Sequence, residues 1–415
     1  MKLLFIINHF YPEVGAIRTE YELSRKLANM DHKITVLTTF PRKYRVPHKS
    51  ILKKYKTKKF LHAESILHGK MRIIRVKSFT SPSDTISYRI LELISSIISL
   101  SITSLILPGS YDAVLTAGDL EFLASIPGIV YKSIKGTCMA TIVHDIHPKA
   151  LIDTGVIKNK FIIRILHIIE RFFYAKTDRM IVHSEGNKKL LAECGADFRK
   201  IEVVYLWADL NLVKPATRTP PFRRKFKNKF IVSFAGVMHY LQGLEVVIEA
   251  AKLLREHKDI IFILVGEGPV KPLLMKRVQE YKLNNVIFMP LLPKDKYVEL
   301  LQSSDVSLVT LRRGYTQPVI PSKLIEIMAA GCPVILCTPK NNDAVKIVQR
   351  AKCGIWVEAG NAKELANAIL ILYNNREKAR EMGINGRKFA EKHFSLEIAA
   401  QKYEKILKNL INQTK

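Results

Sequence analysis

Ile320-Pro-Ser-Lys-Leu-Ile-Glu-Ile-Met-Ala-Ala-Gly-Cys-Pro-Val-Ile335 is the stretch on which the reading of this chain turns. An apolar, strand-like run from Val306 to Leu311 feeds into it. Pro321 and Ser322 then open a short helix, because proline is pre-set for a first helical turn and serine is a good N-cap. Glu326 sits one turn in, Gly331 closes the helix, and a second apolar strand runs from Pro333 to Cys337. The free N–H groups and positive dipole end of such a helix suit a phosphate or pyrophosphate. A carboxylate one turn further along suits the two hydroxyls of a ribose. The pattern predicts a nucleotide site; the plain alternative is a buried helix of an ordinary α/β repeat.

Working outward, the same alternation fills the chain. Lys2 to Asn8 reads as a first strand, followed by a loop, an amphipathic helix from about Arg18 to Asn29 with Leu23 and Leu27 on one face, and a strand from Lys33 to Thr38. That is the opening of a doubly wound parallel sheet. Further strands are predicted near residues 72–76, 113–116, 139–143, 179–182 and 201–204, with helices between them, notably at 161–174 and 185–194. A Pro-, Arg- and Lys-rich stretch at 209–229 reads as a linker, and a second α/β cycle starts at Phe230. At 415 residues the chain is too long for one core. The fold class expected is therefore α/β, with two Rossmann-like doubly wound domains at 1–208 and 230–385 and terminal helices over 386–415.

Composition narrows the function. Apolar residues make up 48% of the chain, as in a globular protein. Five cysteines show no C-x-x-C spacing, so reduced thiols in a cytoplasmic setting are expected. The net charge of +29 is the outlier: residues 41–80 hold thirteen Lys/Arg against one acid, Glu64, and a second cluster runs from Arg223 to Lys229. No helix-turn-helix, RRM or zinc-finger pattern accompanies these patches, which argues against nucleic acid. A solvated surface and an anionic membrane face remain, and clustered Lys/Arg gain on the order of 1 kcal/mol each near such a face. The run from Ile90 to Leu107 is apolar, but past Glu92 it offers only fifteen uncharged residues before Pro108. A spanning helix needs about 20, so a buried or interfacial helix and peripheral attachment are expected. The opening Met1–Asn8 run is too short for a signal peptide.

The 320–335 segment closely resembles the donor-binding motif of family-4 glycosyltransferases, which carry two Glu residues separated by seven. Glu326 matches the second, which in the family binds the donor ribose; Pro318 stands in place of the first, which touches the transferred sugar. The resemblance extends along essentially the whole chain and implies the GT-B architecture: two facing Rossmann-like domains, an active-site cleft between the carboxyl ends of their sheets, and a last helix that crosses back to the first domain. It also implies site residues. Gly15 and Arg18 fall in the family's first loop, where backbone N–H groups approach a phosphate or the acceptor. His144 matches a position near the anomeric centre, with Asp145 beside it and His147 on the acceptor side. Gly236 and Gly243 match the phosphate loop, but Val237 and Gln242 replace the Arg and Lys that grip pyrophosphate in the family. Lys323, the helix N-terminus, and Arg312 or Arg313 are the expected substitutes. Gly266, Glu267 and Pro290 fall near the nucleotide, and Ser322, Lys323, Leu324 and Glu326 complete the donor set.

No Asp-x-Asp occurs, so no bound metal or other cofactor is expected. What the resemblance implies is a metal-independent, retaining transferase. It would move sugar from a nucleoside-diphosphate donor to a lipid-linked or surface-glycan acceptor, peripherally on the cytoplasmic face of the cell membrane. The alternatives are a nucleotide-sugar epimerase of the same fold and a non-catalytic nucleotide-binding subunit.

Overall fold

The computed structural model describes residues 1–13, 18–42, 55, 59–80, 85–118, 120–153 and 155–414. Gly15, most of the basic run at 53–59 and the side chain of Arg18 lie outside them. The chain forms two compact units, one of Met1–Val204 with Leu396–Lys415 and one of Tyr205–Ser395.

The first unit is built on eight strands: β1 (Lys2–Ile7), β2 (Lys33–Thr39), β3 (Leu61–Ile66), β4 (Met71–Val76), β5 (Ala113–Ala117), β6 (Cys138–Ile142), β7 (Arg179–Val182) and β8 (Ile201–Val203), in the order β3-β4-β2-β1-β5-β6-β7-β8. All neighbours pair in parallel except β3, which runs antiparallel to β4 with Leu61 opposite Val76. The inner strands are covered on both faces, so they read as unbroken apolar runs such as Leu3-Leu-Phe-Ile-Ile7, every residue of it buried. β3 is one of the two edge strands of this order, and its Leu-His-Ala-Glu-Ser-Ile alternates between exposed and half-buried. That mixed pattern hides it from a search for apolar runs.

Right-handed crossovers place the helices. The chain moves one way across the sheet from β4 to β5 and again from β6 to β7, so the helices Ile86–Ile106 and Lys160–Lys176 cover the same face. The step from β1 to β2 goes the other way and puts Arg18–Asn29 on the opposite face. There Leu396–Thr414 packs against it, with Lys26 Nζ donating to Glu397 (2.7 Å), His32 Nε2 meeting Glu404 (2.9 Å), and Tyr403 and Leu407 wholly buried. One expectation is corrected here. The helix Ile86–Ile106 has 21 residues, and its Ser87–Ile106 portion is long and apolar enough to cross a membrane, with a mean hydropathy of 1.6. Counting only past Glu92 made it look short, because that acid is tucked against the protein (5% exposed) and does not interrupt the outer face.

The second unit carries a six-stranded, all-parallel sheet: β9 (Phe230–Ala235), β10 (Ile260–Val265), β11 (Val286–Met289), β12 (Val306–Thr310), β13 (Val334–Thr338) and β14 (Gly354–Glu358), ordered β11-β10-β9-β12-β13-β14. Phe230, Phe234 and Phe262 fill its core. The stretch read as a linker is structured within this unit. Val213 is buried, Pro221–Lys225 is helical, and Arg223 Nη2 donates to Asp305 (2.8 Å). Arg387 fastens it further, donating to the carbonyls of Val213 (2.8 Å), Leu210 (3.3 Å) and Ala329 (2.7 Å).

Arg387→Ala leaves three carbonyls without their charged donor and should destabilise the second unit by about 2–3 kcal/mol. Chemical denaturation checks this; an unchanged midpoint would show that the 209–229 segment is not held by these bonds.

Candidate functional site

In the second unit the winding reverses between β9 and β12, and open α/β sheets bind ligands beyond the carboxyl ends of their strands at such a point. Three loops meet there through their backbones. Gly236 N–H donates to Val265 O (3.0 Å), Met238 N–H to Glu267 O (2.8 Å) and Arg312 N–H to Leu241 O (2.9 Å). Gly266, at φ +145°, makes the first of these contacts possible: a Cβ on it would lie 1.9 Å from Gly236 O. Gly243 closes the short turn Tyr240–Gln242, its N–H donating to Tyr240 O (3.2 Å). Glu267 is exposed and locks the neighbouring turn, since Lys271 Nζ donates both to it (2.7 Å) and to Gly266 O (3.0 Å). Pro290 is exposed just past β11, where Met289 O accepts the Gly266 N–H (3.1 Å).

The helix Ser322–Ala329 begins beside these loops, and its cap differs from expectation. Pro321 is the N-cap, Ser322 is the first helical residue, and no side chain caps the helix. A proline ring locks φ in a range that suits either position, so the sequence leaves the cap one residue uncertain. The consequence is that Ser322 is exposed, with no hydrogen bond for its hydroxyl among the described residues. Leu324, expected among the donor-binding residues, is wholly buried, and its N–H is engaged by Pro321 O (2.9 Å); it anchors the helix to the core.

Lys323 is the unusual group. Its ammonium lies 4.3 Å from the centre of the Phe234 ring and donates to Gln242 Oε1 (2.6 Å). No carboxylate among the described residues pairs with it. Loss of water around the charge pulls its pKa down to about 7. A Cβ on Gly236 would come within 3.2 Å of that nitrogen, so glycine there leaves the ammonium its space. Glu326, one turn on, is ion-paired with Lys294, which also lies over the Tyr297 ring (4.9 Å). The Tyr297 hydroxyl has its pKa raised, by burial first and then by the charge and hydrogen bond of Glu326. Arg312 is exposed, and Arg313 Nε donates to Ala359 O (3.2 Å).

The first unit has a matching reversal between β1 and β5, and a chain of buried ionisable groups lies at the strand ends around it. His144, after β6, meets Glu20 Oε1 through Nε2 (2.5 Å) and His183 Nε2 through Nδ1 (3.0 Å). His183 Nδ1 meets the Val204 carbonyl (2.9 Å). A carbonyl only accepts, so His183 carries its proton on Nδ1 and accepts on Nε2. His144 must then donate from both nitrogens and is an imidazolium. Burial opposes that charge, but Glu20 more than offsets it and raises the pKa to about 9. Burial, then the neighbouring His144 charge, lowers His183 to about 3. Glu121 ties the loop: it accepts N–H bonds from His144 (3.2 Å) and Asp145 (3.1 Å), and its other oxygen meets His147 Nδ1 (3.0 Å). Asp145 itself is exposed. Sequence reading missed Glu20, Glu121, His183, Lys294 and Tyr297. None is close in sequence to the residue it holds.

Comparison with known proteins gives the family and the fold. Residues 15–212 match the model of glycosyltransferase family 4, and residues 217–389 that of glycosyl transferases group 1. The probable glycosyltransferase WbjE of Pseudomonas aeruginosa is 27% identical over 278 residues, 66% of this chain and 69% of that one. The putative colanic acid biosynthesis glycosyl transferase WcaI of Escherichia coli is 43% identical over 104 residues, 25% of each chain. In fold, the chain is similar to sucrose-phosphate synthase from Thermosynechococcus elongatus, with a TM-score of 0.78, 17% identity and full coverage of both chains. It is also similar to Anabaena HepE, solved with UDP-glucose, at a TM-score of 0.72 and 18% identity over 99% of this chain and 100% of that one.

His144 holds its proton more tightly folded than unfolded, so the Glu20 pairing stabilises fully below pH about 6.5, and that contribution is lost as pH rises towards about 9. Glu20→Gln should remove most of this alkaline fall in stability and lower the His144 titration, because burial is then opposed only by the charges of Glu121 and Asp145. NMR titration of the imidazole measures both.

Proposed function

Because the chain belongs to the group 1, family 4 glycosyltransferases, we propose that it transfers sugar with retention and without a metal ion, from a nucleoside-diphosphate sugar to a hydroxyl of a lipid-linked or surface-glycan acceptor at the inner face of the cell membrane. The observation that carries the donor assignment is the Lys323 ammonium, half-buried with a neutral amide as its partner. A diphosphate there supplies the missing negative charge and returns the lysine to its charged form. The uncapped helix N-terminus and the Ser322 hydroxyl offer the same anion further donors. Glu326, held by Lys294 and Tyr297, is fixed to accept from the two ribose hydroxyls. HepE, a neighbour in fold, is solved with UDP and with UDP-glucose, which supports a nucleotide-sugar donor.

The chemistry follows from charge. As the anomeric bond breaks, negative charge grows on the leaving diphosphate, and fixed donors aimed at it lower the barrier. Lys323 replaces the missing Arg and Lys of the phosphate loop in this role, and in doing so removes the need for a cation from solution. His144, donating from both nitrogens, has no lone pair with which to act as a base. That supports a course in which the departing phosphate takes the acceptor proton on the same face, which gives retention. It also weighs against an epimerase, which needs acid and base groups at the sugar. Incubation with donor alone separates the two, since an epimerase converts it without acceptor.

Glu326→Ala should weaken nucleoside-diphosphate binding by about 1–3 kcal/mol in calorimetry. Lys323→Met should lower kcat by about a hundredfold or more; unchanged turnover would remove the lysine from the leaving-group role. A thermal-shift screen of nucleoside diphosphates and sugar nucleotides identifies the base, because only ligands the native state prefers raise the melting point. Activity should survive EDTA, and NMR of the product should report the donor's anomeric configuration.

A further inference from the structure

We propose that one face of the first unit is a docking surface for an anionic lipid bilayer, with the helices Ile86–Ile106 and Lys160–Lys176 lying in the headgroup layer. This deepens the membrane-facing reading given above by naming the surface that makes the contact.

The first helix is inverted relative to a soluble protein's. Against the protein it turns Glu92, Ser96, Thr103 and Ser104, all buried; to the outside it turns Ile94 (51% exposed), Ile98 (54%), Ile102 (57%) and Ile106 (65%). Steps of four put these isoleucines on one stripe. The inward serines are satisfied locally, Ser96 Oγ donating to Leu93 O (2.8 Å) and Ser104 Oγ to Ser101 O (2.7 Å). Water is the wrong solvent for the outer stripe.

The second helix, on the same side of the sheet, repeats the arrangement and adds charge. Phe161, Ile165, Ile168 and Phe172 are exposed at steps of four, three and four. Along one edge of that stripe run Lys160, Arg164 and Arg171, none with a carboxylate partner among the described residues. With Lys149 and His167 these cations line a cavity of about 810 Å³ whose only acid is Glu193. Glu170, the one acid of the helix itself, is buried against Tyr174 (2.6 Å) and His167 (2.8 Å). Apolar side chains bordered by unpaired cations match the two layers of a membrane surface, acyl chains below and phosphates above.

The charge pattern selects this occupant over a second copy of the chain, which would set Lys160, Arg164 and Arg171 against their own kind. Lying in the interface also fits better than spanning. To cross, Ile86–Ile106 would have to leave the sheet and the helix Ile126–Lys135 that it packs on, and separate Glu92 from Arg42 (3.8 Å).

Flotation of the full chain with phosphatidylcholine vesicles, with and without phosphatidylglycerol, tests the proposal. The chain should float with the anionic vesicles. Ile98→Asp with Ile168→Asp, and separately Arg164→Glu with Arg171→Glu, should each weaken partitioning about tenfold or more. All these positions are at the surface, and unchanged helix content in circular dichroism certifies the fold. If a variant misfolds, Ile98→Ser with Ile168→Ser carries the same test. No flotation of the unaltered chain overturns the membrane reading itself. Flotation undiminished in both double variants keeps that reading and overturns this surface. Equal flotation with neutral vesicles overturns the role of the cations. Dimers of the unaltered chain that Ile98→Asp with Ile168→Asp dissolves would assign the face to a second copy.

Discussion

A cation drawn part of the way out of water needs other partners for its charge, and in the second unit Lys323 is such a cation. Lys323 is held over an aromatic ring, hydrogen-bonded to an amide and without a carboxylate partner among the described residues. Everything near it serves that placement. The core side chains of Ser322–Ala329 hold the helix so that the lysine projects from its first turn. The glycine at 236 leaves room for the ammonium, and the β9 and β10 loops are joined backbone to backbone so that this room is kept. Burial works against the charged form of this lysine, and the ring and the amide are what face it in place of water.

The first unit uses the opposite device. Around its strand ends the ionisable groups are matched: Glu20 and His144, His183 and a carbonyl, Glu121 and two N–H groups, and Glu13 clasped by Arg42 through Nε (2.9 Å) and Nη2 (2.8 Å). Such pairs fix direction more than they add stability, because desolvation takes back most of the attraction. The result is a rigid frame of strand ends in one unit and an unsatisfied charge in the other.

Most of the architecture was legible because parallel strands covered on both faces must be apolar throughout, and such runs stand out. Lys2–Ile7 and Phe230–Ala235 announce themselves in this way; the edge strand Leu61–Ile66, wet on one side, does not. In the site, Glu326 and Lys323 were legible because both belong to one helix, where spacing along the chain translates into position. Lys294, Tyr297, Glu20 and His183 were not, since each reaches its partner across the fold from an element far away in the chain. The helix cap was missed by one residue for a related reason: both Pro321 and Ser322 satisfy local rules, and only the backbone path decides between them. The 209–229 segment looked like a linker because it lacks periodicity, yet its order comes from Arg387, far along the chain.

The last helix belongs to the unit that contains the first strand, while the second unit is made of one unbroken stretch of chain. During synthesis the two therefore mature in an order unlike their order in the sequence. The second unit has all its residues once Ser395 has emerged, but the groove along Arg18–Asn29 waits for Tyr403, Leu407 and Leu410, which are made later still. Until then an apolar flank of the earlier-made unit stands open on the ribosome, in the window where nascent chains depend on chaperones.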